Sequence, residues 1–197
     1  MITLIEIFDM MVTIFLVGFL FMDMFKSPVM NSKEDVLDRY TKKRSRFEWK
    51  NFWFAAMVTA PAILLHELGH KLIAISLGYN ATFHAFYSND TTLFLGLLAI
   101  AMKLLNFGFV FLVPGYVSIF GISNKLESGL IAFAGPFINL ILFLLALIVL
   151  KSKKIKRKNI QFWILTKNIN LFLFIFNLLP IPGFDGFSVW SSLLSFF

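Results

Sequence analysis

The stretch "AILLHELGHKLI" (residues 62–73) places two histidines and a glutamate inside an apolar run. Ionisable side chains are costly in hydrocarbon, so His66, Glu67 and His70 each require a compensating partner. On a helix, the two histidines stand at positions i and i+4 and therefore share one face. The surrounding residues 52–77 are long enough to cross a bilayer, since about 20 apolar residues suffice. The stretch therefore predicts a membrane helix that carries a polar cluster.

The composition of the chain agrees with a membrane protein. Its 197 residues are 58% hydrophobic and include 26 phenylalanines, with a mean hydropathy of +0.80, whereas soluble domains are roughly 45–50% apolar. The absence of cysteine excludes a disulfide framework and a thiolate metal site. The net charge of +7 does not indicate a nucleic-acid partner, because the basic residues flank the apolar segments, where anionic lipid headgroups lie.

Apolar segments recur along the chain and are separated by polar connections. Besides residues 52–77, they are residues 2–25, 93–113, 130–150 and a last region that starts near Ile160. We therefore expect an all-α polytopic membrane protein with about four to five membrane helices. Residues 1–50 are predicted to form an N-terminal membrane helix and a basic loop, and residues 51–197 the core.

The first apolar segment is interrupted by three acids, Glu6, Asp9 and Asp23. It lacks the basic start and the small-residue cleavage site of a signal peptide. The segment lies outside the polar motifs, and its acidic flanks are expected to allow it to move. It is therefore one of two gate candidates, the other being residues 93–113.

A change of pattern follows the histidine-bearing helix. Residues 78–90, "GYNATFHAFYSND", are rich in threonine and aromatic residues and are punctuated by glycine and asparagine, which favours a strand. We predict a small β-rich or re-entrant element here, followed after residues 93–113 by a loop at 114–129. A sheet near the polar cluster would allow an extended peptide to add as a further strand.

The motif H-E-x-x-H predicts a zinc site. Both imidazoles can reach one ion, and zinc lowers the pKa of its bound water to about 7. Glu67 is adjacent and can accept the proton as the water attacks a carbonyl. The alternative for His66, Glu67 and His70 is a hydrogen-bonded polar cluster that holds helices together. Inside a membrane helix, the cost of burying such groups favours the metal.

A third zinc ligand must be histidine, aspartate or glutamate, because catalytic zinc usually has three protein ligands and an open position. Asp185 is our choice, since it lies in the apolar stretch "NLLPIPGFDGF" among residues that interrupt helices. Such residues allow backbone to unwind where it lines a cavity. The alternatives are a helix-end role for Asp185 and His84 as the ligand. We expect His84 to be a structural residue of the strand.

Three motifs together resemble the site-2 protease family of intramembrane zinc metalloproteases. They are HELGH in a membrane segment, "AGPFIN" at residues 134–139 and "NLLPIPGFDG" at residues 177–186. The resemblance covers residues 52–190 and implies a core that cleaves membrane proteins. It implies Glu67 as the catalytic glutamate and three zinc ligands, His66, His70 and Asp185. Many relatives carry a PDZ or CBS domain, and this chain has neither.

The motif asparagines match Asn139 and Asn177. Each places an amide in an apolar helix. One interpretation is hydrogen bonding between helices, worth about 0.6–2 kcal/mol per contact. The other is support of the substrate backbone or the oxyanion. Both interpretations stay open for both residues. The neighbouring pair Gly135 and Pro136 is expected to let two helices approach closely.

Zinc binding also constrains the topology. The histidines lie in the C-terminal half of their helix, and Asp185 lies towards the C-terminal side of the last apolar region. The two segments must therefore run in the same direction if their ligands are to meet. Residues 93–113 then cannot cross as one complete span, which agrees with the interruption by Lys103, Asn106 and Gly108.

The same topology places loops 26–50 and 151–158 on one side of the membrane. Both loops are basic, and the positive-inside tendency assigns them to the cytoplasm. The family resemblance implies the opposite orientation, with the site nearer the cytoplasmic face. We follow the resemblance, because charge bias is a statistical tendency and rests here on two loops.

These observations predict a zinc-dependent intramembrane endopeptidase in the cell membrane, with a single-span membrane protein as substrate and water activated by Glu67. One alternative is a non-proteolytic membrane protein that retains the fold as a binding or chaperone module. The intact HELGH motif argues against it. Another is a metal transporter, which would need several exchangeable ligands along a pathway, whereas the sequence contains one compact cluster.

Overall fold

The structure is a computed structural model that describes residues 2–26, 47–105, 107, 114–152 and 155–195. Within these ranges the chain is mostly helical. Its elements in chain order are α1 (Leu4–Phe21), α2 (Trp49–Ser76), β1 (Asn80–Ala85), α3 (Asp90–Leu104), β2 (Gly115–Phe120), α4 (Lys125–Lys151), α5 (Arg157–Asn177) and α6 (Asp185–Leu194). Most of the predicted basic loop of residues 26–50 lies outside the described residues.

Three of the described helices, α1, α2 and α4, are long and apolar enough to cross a membrane. Helix α3 has 15 residues and is too short, since a crossing takes about 20. Helix α5 has 21 residues, but Lys167, Asn168 and Asn170 lower its hydropathy. The described residues therefore contain three candidate spans, compared with the four to five expected.

Helices α2, α4 and α5 form the bundle that holds the polar motifs. Helices α2 and α4 run antiparallel, because Ala62 contacts Asn139 whereas His70 contacts Ile131. Helix α5 packs along α4 after a short connection and returns in the direction of α2. The parallel arrangement required for the histidine helix and the last region is therefore present.

Helix α1 packs on the outside of this bundle, against α2. At Gly18 of α1, a Cβ atom would lie 3.0 Å from the Ala56 Cβ and 3.1 Å from the Phe52 ring. The two helices therefore approach closely at this glycine. The division of the chain at residue 50 stays a prediction.

The β element is a two-stranded antiparallel sheet in which Asn80 pairs with Phe120 and Ala85 pairs with Gly115. The strand expected within residues 78–90 is present. The prediction of a loop at 114–129 is wrong, because residues 115–120 form β2 and α4 begins at Lys125. Strand β2 depends on a partner about 35 residues earlier in the chain, so its local sequence alone did not reveal it.

The pairing of β1 with β2 brings the residues on either side of segment 86–114 close together. Ala85, which precedes this segment, lies opposite Gly115, which follows it. A single crossing would separate the ends of the segment by about 30 Å. This agrees with the prediction that residues 93–113 do not form one span. Lys103 of α3 donates to Asp23 at 2.6 Å, whereas Asn106 and Gly108 lie outside the described residues.

Candidate metal centre

Three side chains from two helices converge at one point. His66 and His70 lie on α2, and Asp185 is the first residue of α6. The two histidine Nε2 atoms are 3.1 Å apart. Asp185 Oδ2 lies 3.1 Å from His66 Nε2 and 3.3 Å from His70 Nε2. The structure therefore brings the three predicted ligands together, close enough to bind one metal ion.

Asp185 reaches the histidines because the chain turns sharply between α5 and α6. Pro180 and Pro182 interrupt the helical hydrogen-bond pattern, and Gly183 adopts a φ of 95°, which favours glycine. Gly186 then packs directly on the backbone of Leu178, where a side chain would collide. The turn therefore starts α6 beside α2, with Asp185 at its first position.

Gly135 brings α4 against both imidazole rings. A Cβ atom at this position would lie 2.6 Å from His70 Cε1 and 2.7 Å from His66 Cε1. On the facing helix, a Cβ at Gly69 would lie 3.0 Å from the carbonyl oxygen of Ala134. The close approach expected from the Gly-Pro pair is present, and helix α4 continues through Pro136.

Both histidines direct Nδ1 away from the cluster. His70 Nδ1 lies 2.7 Å from the carbonyl oxygen of Ile131, and His66 Nδ1 lies 2.6 Å from Asn139 Oδ1. A carbonyl oxygen can only accept, so the hydrogen is on Nδ1 in each contact. A neutral imidazole with Nδ1–H carries its lone pair on Nε2. Both lone pairs therefore lie on the atoms that face Asp185.

This donor set fits zinc. The two Nε2 lone pairs and the Asp185 carboxylate lie 3.1–3.3 Å from one another. No hydrogen lies between them when both imidazoles are neutral, so they repel each other unless a cation lies among them. Nitrogen and oxygen ligands at about 2.0–2.2 Å in a tetrahedral arrangement are separated by roughly 3.3 Å. Two imidazoles and one carboxylate leave one position open, as in catalytic zinc sites.

Glu67 follows the first histidine and is half-buried. Its carboxylate lies within electrostatic range of both histidines and Asp185, and it accepts a hydrogen bond from the Val117 backbone amide of β2. The glutamate is therefore beside the three ligands and under the sheet. This position suits a group that accepts a proton at the metal centre.

The sheet presents one edge to the site and the other to α1. Val117 of β2 lies opposite Phe83 of β1. The Phe83 amide donates to Glu6 of α1 at 2.8 Å, and the Val117 amide bonds to Glu67. Because both amides point away from the partner strand, the outer edge of β2 faces Glu67.

The two motif asparagines have different surroundings. Asn139 is fully buried in α4, and its amide bonds to His66, Ala62 and Asn170. Asn177 is the last residue of α5 and is half-buried. Its side chain has no hydrogen bond among the described residues. The structure therefore separates two residues that the sequence treated alike.

Among the described residues, His84 is not part of the cluster formed by His66, His70 and Asp185. Its Nε2 is 2.9 Å from Ser118 Oγ on the neighbouring strand, and its ring is tilted over Tyr116 with a centroid distance of 5.4 Å. These contacts agree with the expected structural role of His84 in the sheet.

A buried ion pair beside the site was missed by the sequence analysis. Lys71, which follows His70, donates to Glu6 of α1. The exposed fractions are 3% for Lys71 and 1% for Glu6. Glu6 also accepts from the Thr3 amide at 2.8 Å and completes the cap of α1. A lysine in the apolar stretch HKLI requires an anion, and that requirement was the available signal.

A second acid of α1 is also buried and bonded. Asp9 accepts a hydrogen bond from the Tyr87 hydroxyl, and this bond raises the pKa of Tyr87 to about 12. One turn further, Thr13 donates to the Asp9 carbonyl at 2.9 Å and approaches the Pro114 carbonyl at 3.3 Å. The expectation that acidic flanks leave α1 free to move is wrong for Glu6 and Asp9, because both acids bind neighbouring elements.

Comparison with known proteins identifies the family. No family model matches the chain, and no solved structure matches it. The chain is 37% identical over 142 residues to the protein named "Putative zinc metalloprotease MJ0611" from Methanocaldococcus jannaschii. The alignment covers 68% of this chain and 68% of that protein. The cluster of His66, His70 and Asp185 fits the metal centre of a zinc metalloprotease. The chain belongs to the family of this zinc metalloprotease.

Proposed function

We propose that the protein is a zinc-dependent intramembrane endopeptidase of the site-2 protease type. The observation that carries the proposal is the position of the cluster on a candidate span. His66 and His70 lie ten and six residues before the end of α2 at Ser76, which corresponds to about 15 and 9 Å of helix rise. A metal centre at that distance from the helix end would act on peptide bonds within the membrane.

The chemistry follows from the residues beside the cluster. A zinc ion held by His66, His70 and Asp185 supplies a Lewis acid and a water of lowered pKa. Glu67 accepts a proton at its carboxylate and returns it to the leaving amine, which is general acid–base catalysis. The Val117 amide of β2 donates a hydrogen bond to that carboxylate. Asn177 is the motif asparagine whose side chain has no hydrogen bond within the described ranges, and we assign it to the substrate backbone or the oxyanion.

The substrate is a transmembrane protein whose helix unwinds before cleavage, because a helical peptide bond is shielded by its own hydrogen bonds. The outer edge of β2 faces Glu67 and can pair with an extended strand. Pairing there would bring a substrate carbonyl close to the general base. A single-span protein is the simplest substrate of this kind.

The protein would cross the cell membrane several times. Besides the three candidate spans, we assign a crossing to α5. Asn170 lies near the middle of α5 and is buried, and its side chain bonds to the Thr166 carbonyl oxygen and to Asn139. A polar group that is paired inside the bundle is tolerated at membrane depth.

The direct test is cleavage of a single-span protein by purified full-length chain in detergent. We expect cleavage by the wild type that is lost with a chelator and restored by zinc. Glu67→Gln should bind zinc and keep the fold, yet lose a factor of about 10²–10⁴ in rate. Glu48→Gln, at the exposed start of α2, is the matched control and should cleave normally.

Comparison of membrane proteomes identifies the substrate. Cells with the Glu67→Gln variant should accumulate full-length single-span proteins that the wild type removes. Specific binding of such proteins without cleavage by the wild type, even with zinc restored, would instead support the non-proteolytic alternative.

A further inference from the structure

A chain of hydrogen bonds with a fixed direction runs from α5 through α4 to the histidine helix. It starts at Asn170, whose Nδ2 lies 2.8 Å from the Thr166 carbonyl oxygen. A backbone carbonyl can only accept, so the amide nitrogen of Asn170 must face it. The oxygen of Asn170 is thereby turned towards α4.

The next member is Asn139. Its Nδ2 lies 2.9 Å from the Ala62 carbonyl and 2.9 Å from Asn170 Oδ1, and both of these atoms are acceptors. Both N–H bonds of Asn139 are therefore used. The opposite orientation of the amide would place its oxygen against two other oxygens, which is repulsive. Oδ1 of Asn139 consequently faces His66.

The last member is His66. Its Nδ1 lies 2.6 Å from Asn139 Oδ1, which can only accept, so Nδ1 carries the hydrogen. The lone pair is then on Nε2, the atom that faces Asp185. Asn139 and Asn170 have exposed fractions of 0% and 1%, so bulk water does not replace these contacts. Three helices thus determine which nitrogen of His66 can bind a metal.

We propose that Asn170 and Asn139 are positioning residues that fix the tautomer and ring orientation of His66, and that Asn139 does not donate to the substrate. This inference rests on the proposed function, because it concerns the same metal centre. It also assigns different roles to the two motif asparagines. Asn139 has no free N–H for an oxyanion, whereas the amide of Asn177 is unbonded within the described part of the chain.

The inference is tested by zinc binding to the full-length protein in detergent, measured with the metal alone. Asn139→Leu has a similar size but cannot accept from His66, and we expect its zinc affinity to fall by about 10–100-fold. The absorption spectrum of the cobalt-substituted protein should change as well, because it reports the ligand geometry. Wild-type affinity and an unchanged spectrum would overturn the proposal, and a loss of catalytic rate in the same variant would favour an oxyanion role.

Asn139→Asp tests the role of the side-chain oxygen of Asn139 separately from that of its amide N–H groups. The variant keeps an oxygen towards His66 but loses the amide N–H groups, and burial favours the neutral acid, whose O–H replaces one donor. We expect zinc affinity within about tenfold of the wild type, since a carboxyl group is a common partner of a metal-bound histidine. A folded Asn139→Asp variant with the same loss of affinity as Asn139→Leu would contradict the proposal.

Asn170→Leu tests the end of the hydrogen-bond chain that is farthest from His66, without a change at the metal site. We expect a smaller loss of zinc affinity than for Asn139→Leu. In the double variant Asn139→Leu with Asn170→Leu, the fold-loss of zinc affinity should be less than the product of the two single fold-losses. Asn168→Leu on the exposed side of α5 is the matched control and should bind zinc normally. Equal affinity of Asn170→Leu and Asn168→Leu would remove Asn170 from the proposal.

The outcome is independent of whether the protease activity is confirmed. Zinc affinity and the cobalt spectrum are measured without substrate, so they test the hydrogen-bond chain even if no cleavage is found. A zinc-binding wild type that cleaves no membrane protein would refute the proposed function and leave this inference to be decided by the asparagine variants.

Discussion

Lys71 donates to Glu6, and both side chains are buried in the contact between α2 and α1. The same Glu6 oxygen accepts from the Phe83 amide at 2.8 Å. One carboxylate therefore joins the first helix, the histidine helix and strand β1. Since Lys71 directly follows His70, this junction lies beside the metal centre. A gate that required α1 to leave the bundle would have to break a buried ion pair.

Removal of one partner of this pair should destabilise the protein strongly. Lys71→Met leaves the Glu6 carboxylate without its cation, and the expected loss is about 3–5 kcal/mol of unfolding free energy. Glu6→Gln keeps an acceptor for the Phe83 amide and leaves the lysine unpaired. We expect a large loss here too, measured by thermal unfolding in detergent.

The double variant Glu6→Gln with Lys71→Met should be more stable than the sum of the single changes predicts, because it contains no unpaired charge. Lys103→Met, at a more exposed ion pair with Asp23, is the control and should cost about 0–1 kcal/mol. Additive single effects of less than about 0.5 kcal/mol would show that the buried pair does not hold α1.

The three clustered residues should each be needed for zinc. His66→Ala, His70→Ala and Asp185→Ala should lower zinc content together with activity, because three ligands become two. His84→Ala is the control and should bind zinc normally, since its ring nitrogen bonds to Ser118. Elemental analysis of the purified variants gives the answer. Full zinc content in Asp185→Ala combined with its loss in His84→Ala would assign the third ligand to His84.

Gly135→Ala should impair zinc binding without the loss of any ligand. The added Cβ would lie 2.6 Å from His70 Cε1 and 2.7 Å from His66 Cε1, so at least one imidazole must move. We expect lower zinc affinity at near-normal helix content, measured by metal titration and circular dichroism. Leu130→Ala on an exposed position of the same helix should leave affinity unchanged. Unaltered zinc affinity in Gly135→Ala would contradict the close approach of α4.

Cysteine labelling should place Ser88 and Ser123, which lie before and after residues 93–113, on one side of the membrane. The native chain has no cysteine, so Ser88→Cys and Ser123→Cys can be labelled singly with an impermeant maleimide. Both positions flank the sheet, and both should react from the side on which α2 ends. A cysteine at Ser45 or Ser152 should react from the other side. Reaction of Ser88→Cys and Ser123→Cys from opposite sides would mean that residues 93–113 cross.

Local sequence was sufficient for the features that depend on spacing within one helix. His66, Glu67 and His70 share a turn of α2, so their relation follows from helical periodicity. Asp185 was found because an acid among prolines and glycines in an apolar region needs a partner. The expectation that residues 93–113 do not cross followed from one further condition, that all ligands meet one ion.

The tertiary structure decided which groups are paired across the bundle. The bonds of Lys71 to Glu6 and of Asn139 to His66 join residues 65 and 73 positions apart, and no local pattern specifies such a partner. Strand β2 forms because β1 supplies hydrogen-bond partners for its backbone. The amide N–H groups of Asn139 are bonded to Ala62 and Asn170. Periodicity identified which polar residues had to be compensated in an apolar environment, whereas the packing of the helices determined what compensates each of them.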